Sequence, residues 1–138
     1  MWSEEEASVG AALPEFVRGL LDANTFVVLT TLNPDGSPQS SVIWAKRDGD
    51  EVVFSTIRGR RKTRNLERDP RVSLCAHDPA DPYRYFEVRG TVSMTEDGGP
   101  ELIEELSQRY DGRPFRESDP DNVRVVCRVT ARRVVVHH

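Results

Sequence analysis

Two turn signatures constrain this chain more than anything else in it. "NPDG" at residues 33–36 and "RDGD" at 47–50 separate three runs that read as strands: "TFVVLTTL", "SPQSSVIWAK" and "EVVFSTI". Proline at the second turn position presets φ, and glycine relieves the strain of the reversal. β-Branched runs at hairpin spacing therefore predict a meander. Further strands follow. "RVSLCAHD" resumes the sheet and "PADP" breaks it, and "YRYFEVRGTVSMTED" is long enough for a strand that bends or bulges near Gly90. "VRVVCRVTARRVVV" supplies one or two last strands.

Helical periodicity is confined to short stretches. Leu13, Phe16, Val17, Leu20 and Leu21 recur at one-face spacing, with Asn24 as the stop, and a second helix runs from Gly99 to Tyr110 with Leu102, Ile103, Leu106 and Tyr110 inward. A third, short one carries Thr63, Asn65 and Leu66 and stops before Asp69 and Pro70, because a residue preceding proline is pushed out of helical geometry. About six antiparallel strands with two or three short helices predict a mainly β fold, a closed or half-closed barrel whose closure removes edge strands. The 138 residues suffice for one domain over 13–138, preceded by a flexible tail over 1–12. No repeat or low-complexity tract interrupts it.

Several function classes fall away on composition. Apolar runs such as "FVVL" are far shorter than the roughly 20 residues of a membrane-spanning helix. The acidic start "MWSEEEASVG" is unlike a secretory signal, which implies a cytoplasmic protein. Cys75 and Cys127 lie in apolar runs without CxxC spacing and read as buried free thiols. His77 stands alone, and His137 and His138 are native sequence or the stub of a purification tag, so no metal site is expected.

The formal net charge is -4, yet Arg58, Arg60, Arg61, Lys62 and Arg64 crowd into "STIRGRRKTRNLERDPRVSL". One reading is a solvated face. The other is a phosphate pocket, since Arg60 and Lys62 stand at the start of a helix, where free N–H groups and the dipole also attract anions. Two charge-assisted bonds of roughly 1.5–3 kcal/mol each would hold a mononucleotide-like cofactor. A nucleic acid would need a basic stripe over a whole face, and "SEEEAS" and "ESDPDN" would repel it. A P-loop is excluded because GxxxxGK[ST] is absent.

The order of helix, "FVVLTTLNPDGSPQSSVIWA", "VVFSTIRGRRKTRNLERDPRVSL" and "YFEVRGTV" resembles the FMN-binding split β-barrel superfamily that includes pyridoxamine 5'-phosphate oxidase. It is most similar to the branch that uses the deazaflavin coenzyme F420. The resemblance spans about residues 13–136. It implies that Arg60, Lys62 and Thr63 grip the cofactor phosphate, with Arg61 and Arg64 as neighbours. It places Ser55, Thr56 and Ile57 along the ring, with Gln39, Ser40 and Ser41 on the facing strand. For Ser55, Thr56 and the serines Ser40 and Ser41, plain strand pairing is the competing reading. The resemblance also implies a homodimer with two cofactor sites at the interface, where Tyr83 and Tyr85 wall the site from the other subunit. Trp44, Arg84 and Arg89 are candidate lining residues of the substrate pocket, with strand surface or core as the competing reading.

No nucleophile with its base is discernible, so the cofactor has to carry the chemistry. The expectation is an F420-dependent reductase acting on an electron-poor conjugated small molecule, with an FMN-binding oxidoreductase or a noncatalytic F420 carrier as alternatives. The end at "RRVVVHH" lacks the Arg- and His-bearing segment by which pyridoxamine phosphate oxidases hold their substrate, so the resemblance does not carry that activity over.

Overall fold

The computed structural model describes residues 10–137 and the backbone of Trp2–Ser3. In chain order the elements are β1 (Trp2–Ser3), α1 (Glu15–Asp22), β2 (Val27–Leu32), β3 (Pro38–Ile43), β4 (Ala45–Asp48) and β5 (Glu51–Ile57). They continue with α2 (Arg61–Arg68), β6 (Arg71–Asp78), β7 (Asp81–Thr95), α3 (Gly99–Asp111) and β8 (Arg124–His137). All strand pairs are antiparallel, and the sheet runs β3-β2-β6-β7-β8-β5-β4, with β1 paired to β8 outside this path.

That order dictates curvature. β3 and β4 occupy the two ends of the path, yet only Trp44 separates them in the chain. The sheet must curl until its end strands meet. The segment "SPQSSVIWAK", expected as one strand, is thus two: its first part pairs with β2 and its second with β5. The meander survives with its middle strand bent at Trp44, because a straight strand could not serve both edges of a curled sheet. Both turns form where the sequence places them. Gly36 and Gly49 have φ of 84° and 60°, and a two-residue loop joins Asp48 to Glu51.

The curl gives the strands an inside. Leu29, Leu74, Phe86, Val88, Phe54, Val52, Cys127 and Val129 fill it, and α1 adds Val17, Leu20 and Leu21. Each large side chain so buried contributes roughly 1.5–3 kcal/mol relative to exposure. β5 is buried on both faces, because α3 covers its outer side: Val53 and Val126 pack with Leu102 and Leu106. Tyr110 closes this layer, stacking on Trp44 at 5.5 Å, while its hydroxyl lies within hydrogen-bond distance of Thr25 O, Ala45 N and Ala45 O.

The expected irregularity near Gly90 is a register shift between Arg89 and Gly90 on β7 against β8. Of the stretch read as a tail, Trp2 and Ser3 pair with Val135 and Val134, and Ala11 N donates to Ala131 O at 2.8 Å, whereas residues 4–9 lie outside the described residues.

One thiol departs from expectation. Cys127 is buried, but Cys75 is exposed. Strand alternation explains it, since Leu74 and Ala76 point inward and therefore send Cys75 outward, whatever the hydrophobicity of its neighbours. Burial pushes the Cys127 thiol up to about 12. The Cys75 thiol also lies above its ordinary value, through the burial it does have and the nearby Glu87 carboxylate. A thiol reagent applied to the folded protein at pH 8 should therefore modify Cys75 slowly and Cys127 only after denaturation. Mass spectrometry of the labelled peptides reads this directly, and labelling of native Cys127 would contradict the burial.

Candidate functional site

The basic segment is folded as a strand end, a turn and a helix. β5 ends at Ile57, Gly59 takes φ 92°, and Arg60 precedes the first turn of α2. Two buried threonines lock this corner. The Thr63 hydroxyl donates to Ile57 O at 2.6 Å and lies 2.9 Å from the Thr56 hydroxyl. Asn65, also buried, donates to the Thr31 hydroxyl at 3.0 Å and to Asn33 Oδ1 at 3.1 Å, and Thr31 donates to Gln39 Oε1 at 2.8 Å. The start of α2 is thereby tied to both β5 and the β2–β3 hairpin.

The helix start is electrically unusual. None of the three helices receives a side-chain cap, but α1 and α3 hold Glu15 and Glu101 in their first turns, whereas that of α2 holds no acidic residue. Basic residues at this end oppose the dipole. Lys62 donates to Ser41 Oγ at 3.3 Å, and its ammonium is held below the usual lysine range first by burial and then by the positive charge of Arg60. No carboxylate pairs with Lys62 or Arg60 among the described residues. Both line a cleft of about 160 Å³ with Ser55, Val42, Trp44 and Ile103.

The fold therefore gathers Ser55, Arg60 and Lys62, with Ser41 bonded to Lys62, around one cleft. Thr56, Ile57 and Thr63 stand behind it and build the corner. Gln39 belongs to the Thr31 and Asn65 network, and Ser40 is exposed, 2.8 Å from the Thr30 hydroxyl. Arg61 and Arg64 are exposed on α2. Tyr83 and Tyr85 are not part of the cleft. Tyr85 pairs with His137 at one end of β8, and the cleft lies near Arg124 at the other.

Trp44 lines both this cleft and an adjoining one of about 610 Å³ that includes Arg113, Phe115 and Arg116. Arg84 is occupied by Asp78 at 3.2 Å and lies over the Phe16 ring. Arg89 joins Arg71, Arg132 and Arg133 around a separate groove on the outer face. Sequence reasoning missed Arg124, which is within 3.5 Å of Ser55 Oγ. It begins an alternation of Arg124, Val126 and Arg128, in which nothing distinguishes it from the surface-paired Arg128. Among the described residues no group of three or more His, Cys, Asp or Glu could hold a metal ion, and no helix is long and apolar enough to cross a membrane.

A mainly β, curled barrel with an arginine–lysine corner after β5 defines the split β-barrel class. The comparisons agree. The pyridoxamine 5'-phosphate oxidase family profile matches residues 13–138, and the chain belongs to that family. Among solved structures it is similar to an F420 reductase, with a TM-score of 0.80 and 34% identity over 89% of this chain and 98% of that one. It also resembles the conserved hypothetical protein Rv2991 of Mycobacterium tuberculosis, with a TM-score of 0.74 at 23% identity over 96% and 89% of the two chains, a likeness of fold. A curated relative, the pyridoxine/pyridoxamine 5'-phosphate oxidase of Rubrobacter xylanophilus, is 37% identical over 78 residues. That match covers 56% of this chain and only 35% of the relative.

Proposed function

We propose that the protein is a cytoplasmic reductase that uses the deazaflavin coenzyme F420 to reduce an electron-poor conjugated small molecule. The observation that carries the phosphate part is Lys62: a half-buried ammonium beside Arg60, bonded among the described residues to a hydroxyl alone, at a helix start with no negative charge of its own. An anion is what this donor set lacks. Arg60 and Lys62 would hold the phosphate, with Ser41 and Ser55 flanking it. The likeness to an F420 reductase over nearly the whole of that chain favours the deazaflavin over FMN.

When bound, the deazaflavin supplies hydride. The chain's own residues then do three things. Arg60 and Lys62 fix the phosphate end, so orientation is set from the corner built by Thr56 and Thr63. β3 and β5 offer the surfaces along which a ring can lie. Trp44 walls the join between the two clefts and keeps water from that side.

Two copies would complete the site. Val28 and Val42, cross-strand neighbours on the outer face, are 39% and 66% exposed, and Tyr83 is 78% exposed. An apolar outer face of this kind favours a homodimer in which Tyr83 and Tyr85 of the second copy approach the cleft. Light scattering should give twice the chain mass.

Activity is tested by mixing the protein with reduced F420 and a panel of enones and other conjugated acceptors, following the return of the oxidised chromophore. Acceptor-dependent oxidation supports the reductase. Tight binding without oxidation by any acceptor would make the protein a carrier, and binding of FMN alone would move it to the flavin enzymes.

A further inference from the structure

Behind Ser55 lies an ion pair that the phosphate reading does not use. Arg124, the first residue of β8, is 10% exposed at its side chain, and its Nε and Nη2 donate to Glu117 at 2.8 and 3.0 Å. Phe115 stacks beneath the guanidinium at 4.7 Å, and Nη1 reaches Ser55 Oγ at 3.5 Å. Asn122 Nδ2 donates to the same carboxylate at 2.9 Å. Glu117 is thus fixed by the segment between α3 and β8 against Arg124, which reaches Ser55 of the cleft but itself lines a neighbouring one together with Phe115, Glu117 and Asn122.

We infer that Glu117 is the internal counter-anion of the phosphate cleft and that it limits how much negative charge the cleft accepts from a ligand, an inference that rests on the phosphate reading above. Four charges act as one group. The positive fields of Arg60 and Arg124 both reach Lys62, and that of Arg60 reaches Glu117. Arg124 is paired with Glu117, which leaves the two charges of Arg60 and Lys62 uncompensated at the cleft. That surplus matches a single phosphate group, which carries one to two negative charges depending on esterification and pH.

Arg124 and the half-buried Lys62 are screened less than the exposed Arg60, so the balance is felt most between Arg124 and Lys62. Without Glu117 the three cations would repel one another whenever the cleft held no anion. With it, the empty protein is stabilised and ligand affinity is lower. The comparison within β8 is Arg128, whose partners Asp48 and Glu51 are exposed and lie away from any cleft cation.

Glu117→Gln keeps the side-chain shape and removes the charge. Titrations with F420 and FMN, each beside its phosphate-free form, should show the variant binding the phosphorylated ligand about fivefold more tightly, as one removed charge at several ångströms in a medium of intermediate dielectric implies. Binding of the phosphate-free form should not change. Arg124→Gln should weaken phosphorylated-ligand binding by a similar factor. The double variant, which restores the charge count, should return near the wild-type value and covers the case in which Glu117→Gln alone fails to fold.

Equal changes for the phosphorylated and phosphate-free forms would reduce Glu117 to a loop anchor and overturn the inference. So would a double variant as weak as Arg124→Gln. Lys62→Ala measured alongside separates the two levels of the argument. Loss of phosphate discrimination in Lys62→Ala with none in the Glu117 series sinks this inference alone, and no loss in either sinks the phosphate cleft as well.

Discussion

Replacing Lys62 with alanine should weaken binding of the phosphorylated cofactor by at least tenfold and leave the ligand-free protein within a few degrees of its original melting temperature. The two halves of this result have one cause. In the empty protein Lys62 is desolvated and close to Arg60, with a single hydroxyl at 3.3 Å as its hydrogen-bond partner, so removing it sacrifices little native stabilisation. In the complex it would supply a charge-assisted bond worth roughly 1.5–3 kcal/mol.

The sign of its shifted pKa adds a pH test. Burial holds the folded value below that of an ordinary lysine, so the unfolded chain binds more protons there, and Lys62 favours folding more as pH rises. Cofactor affinity runs the other way. It should decline on the alkaline side at a pH below the usual lysine range, where the ammonium loses its proton. Calorimetric titration across that range checks the direction.

The largest expected loss of stability comes from Gly90→Ala. A Cβ at this position would stand 2.2 Å from Thr130 O and 3.0 Å from Thr130 C, both backbone atoms of the neighbouring strand. No side-chain rotation can relieve that contact. β8 would have to move away along the β7–β8 ladder, which runs the length of the barrel. Overpacking against an immobile wall costs roughly 1–3 kcal/mol or more, which for a chain of this size lowers the melting temperature by about 10 °C. A thermal melt followed by circular dichroism measures it, and an unshifted transition would contradict the close strand approach.

Gly90 also shows what a single sequence reveals. A glycine within a long β-rich run signals a bulge or a close backbone approach, and both occur there. Turn chemistry was equally legible at Gly36 and Gly49. The break at Trp44 was not, because "SPQSSVIWAK" has strand composition throughout. Only the demand that one chain segment pair with both edges of a curled sheet divides it. Cys75 was misread for a related reason: hydrophobic neighbours identify a strand, but the side facing the core follows from alternation relative to Leu74 and Ala76.

At the site, Arg60 and Lys62 stood out because cations cluster at a helix start, where free N–H groups and the dipole also attract anions. Thr63 and Asn65 were placed on the right helix, but their partners, Ile57 O and Thr31, depend on how α2 docks. Arg124 and Glu117 left no trace, since their pairing exists only once β8 lies beside β5 and the segment after α3 folds back.

The central claim is that the Arg60–Lys62 corner takes the phosphate of a deazaflavin. Its most direct test is a fluorescence titration of the cofactor-free protein with oxidised F420, FMN and the phosphate-free form of each. Binding of F420 at micromolar strength or better, clearly weaker binding of its phosphate-free form and a preference over FMN are the predicted result. Equal affinity with and without the phosphate, or binding of none of the four, would contradict the claim and return these cations to the role of a solvated surface.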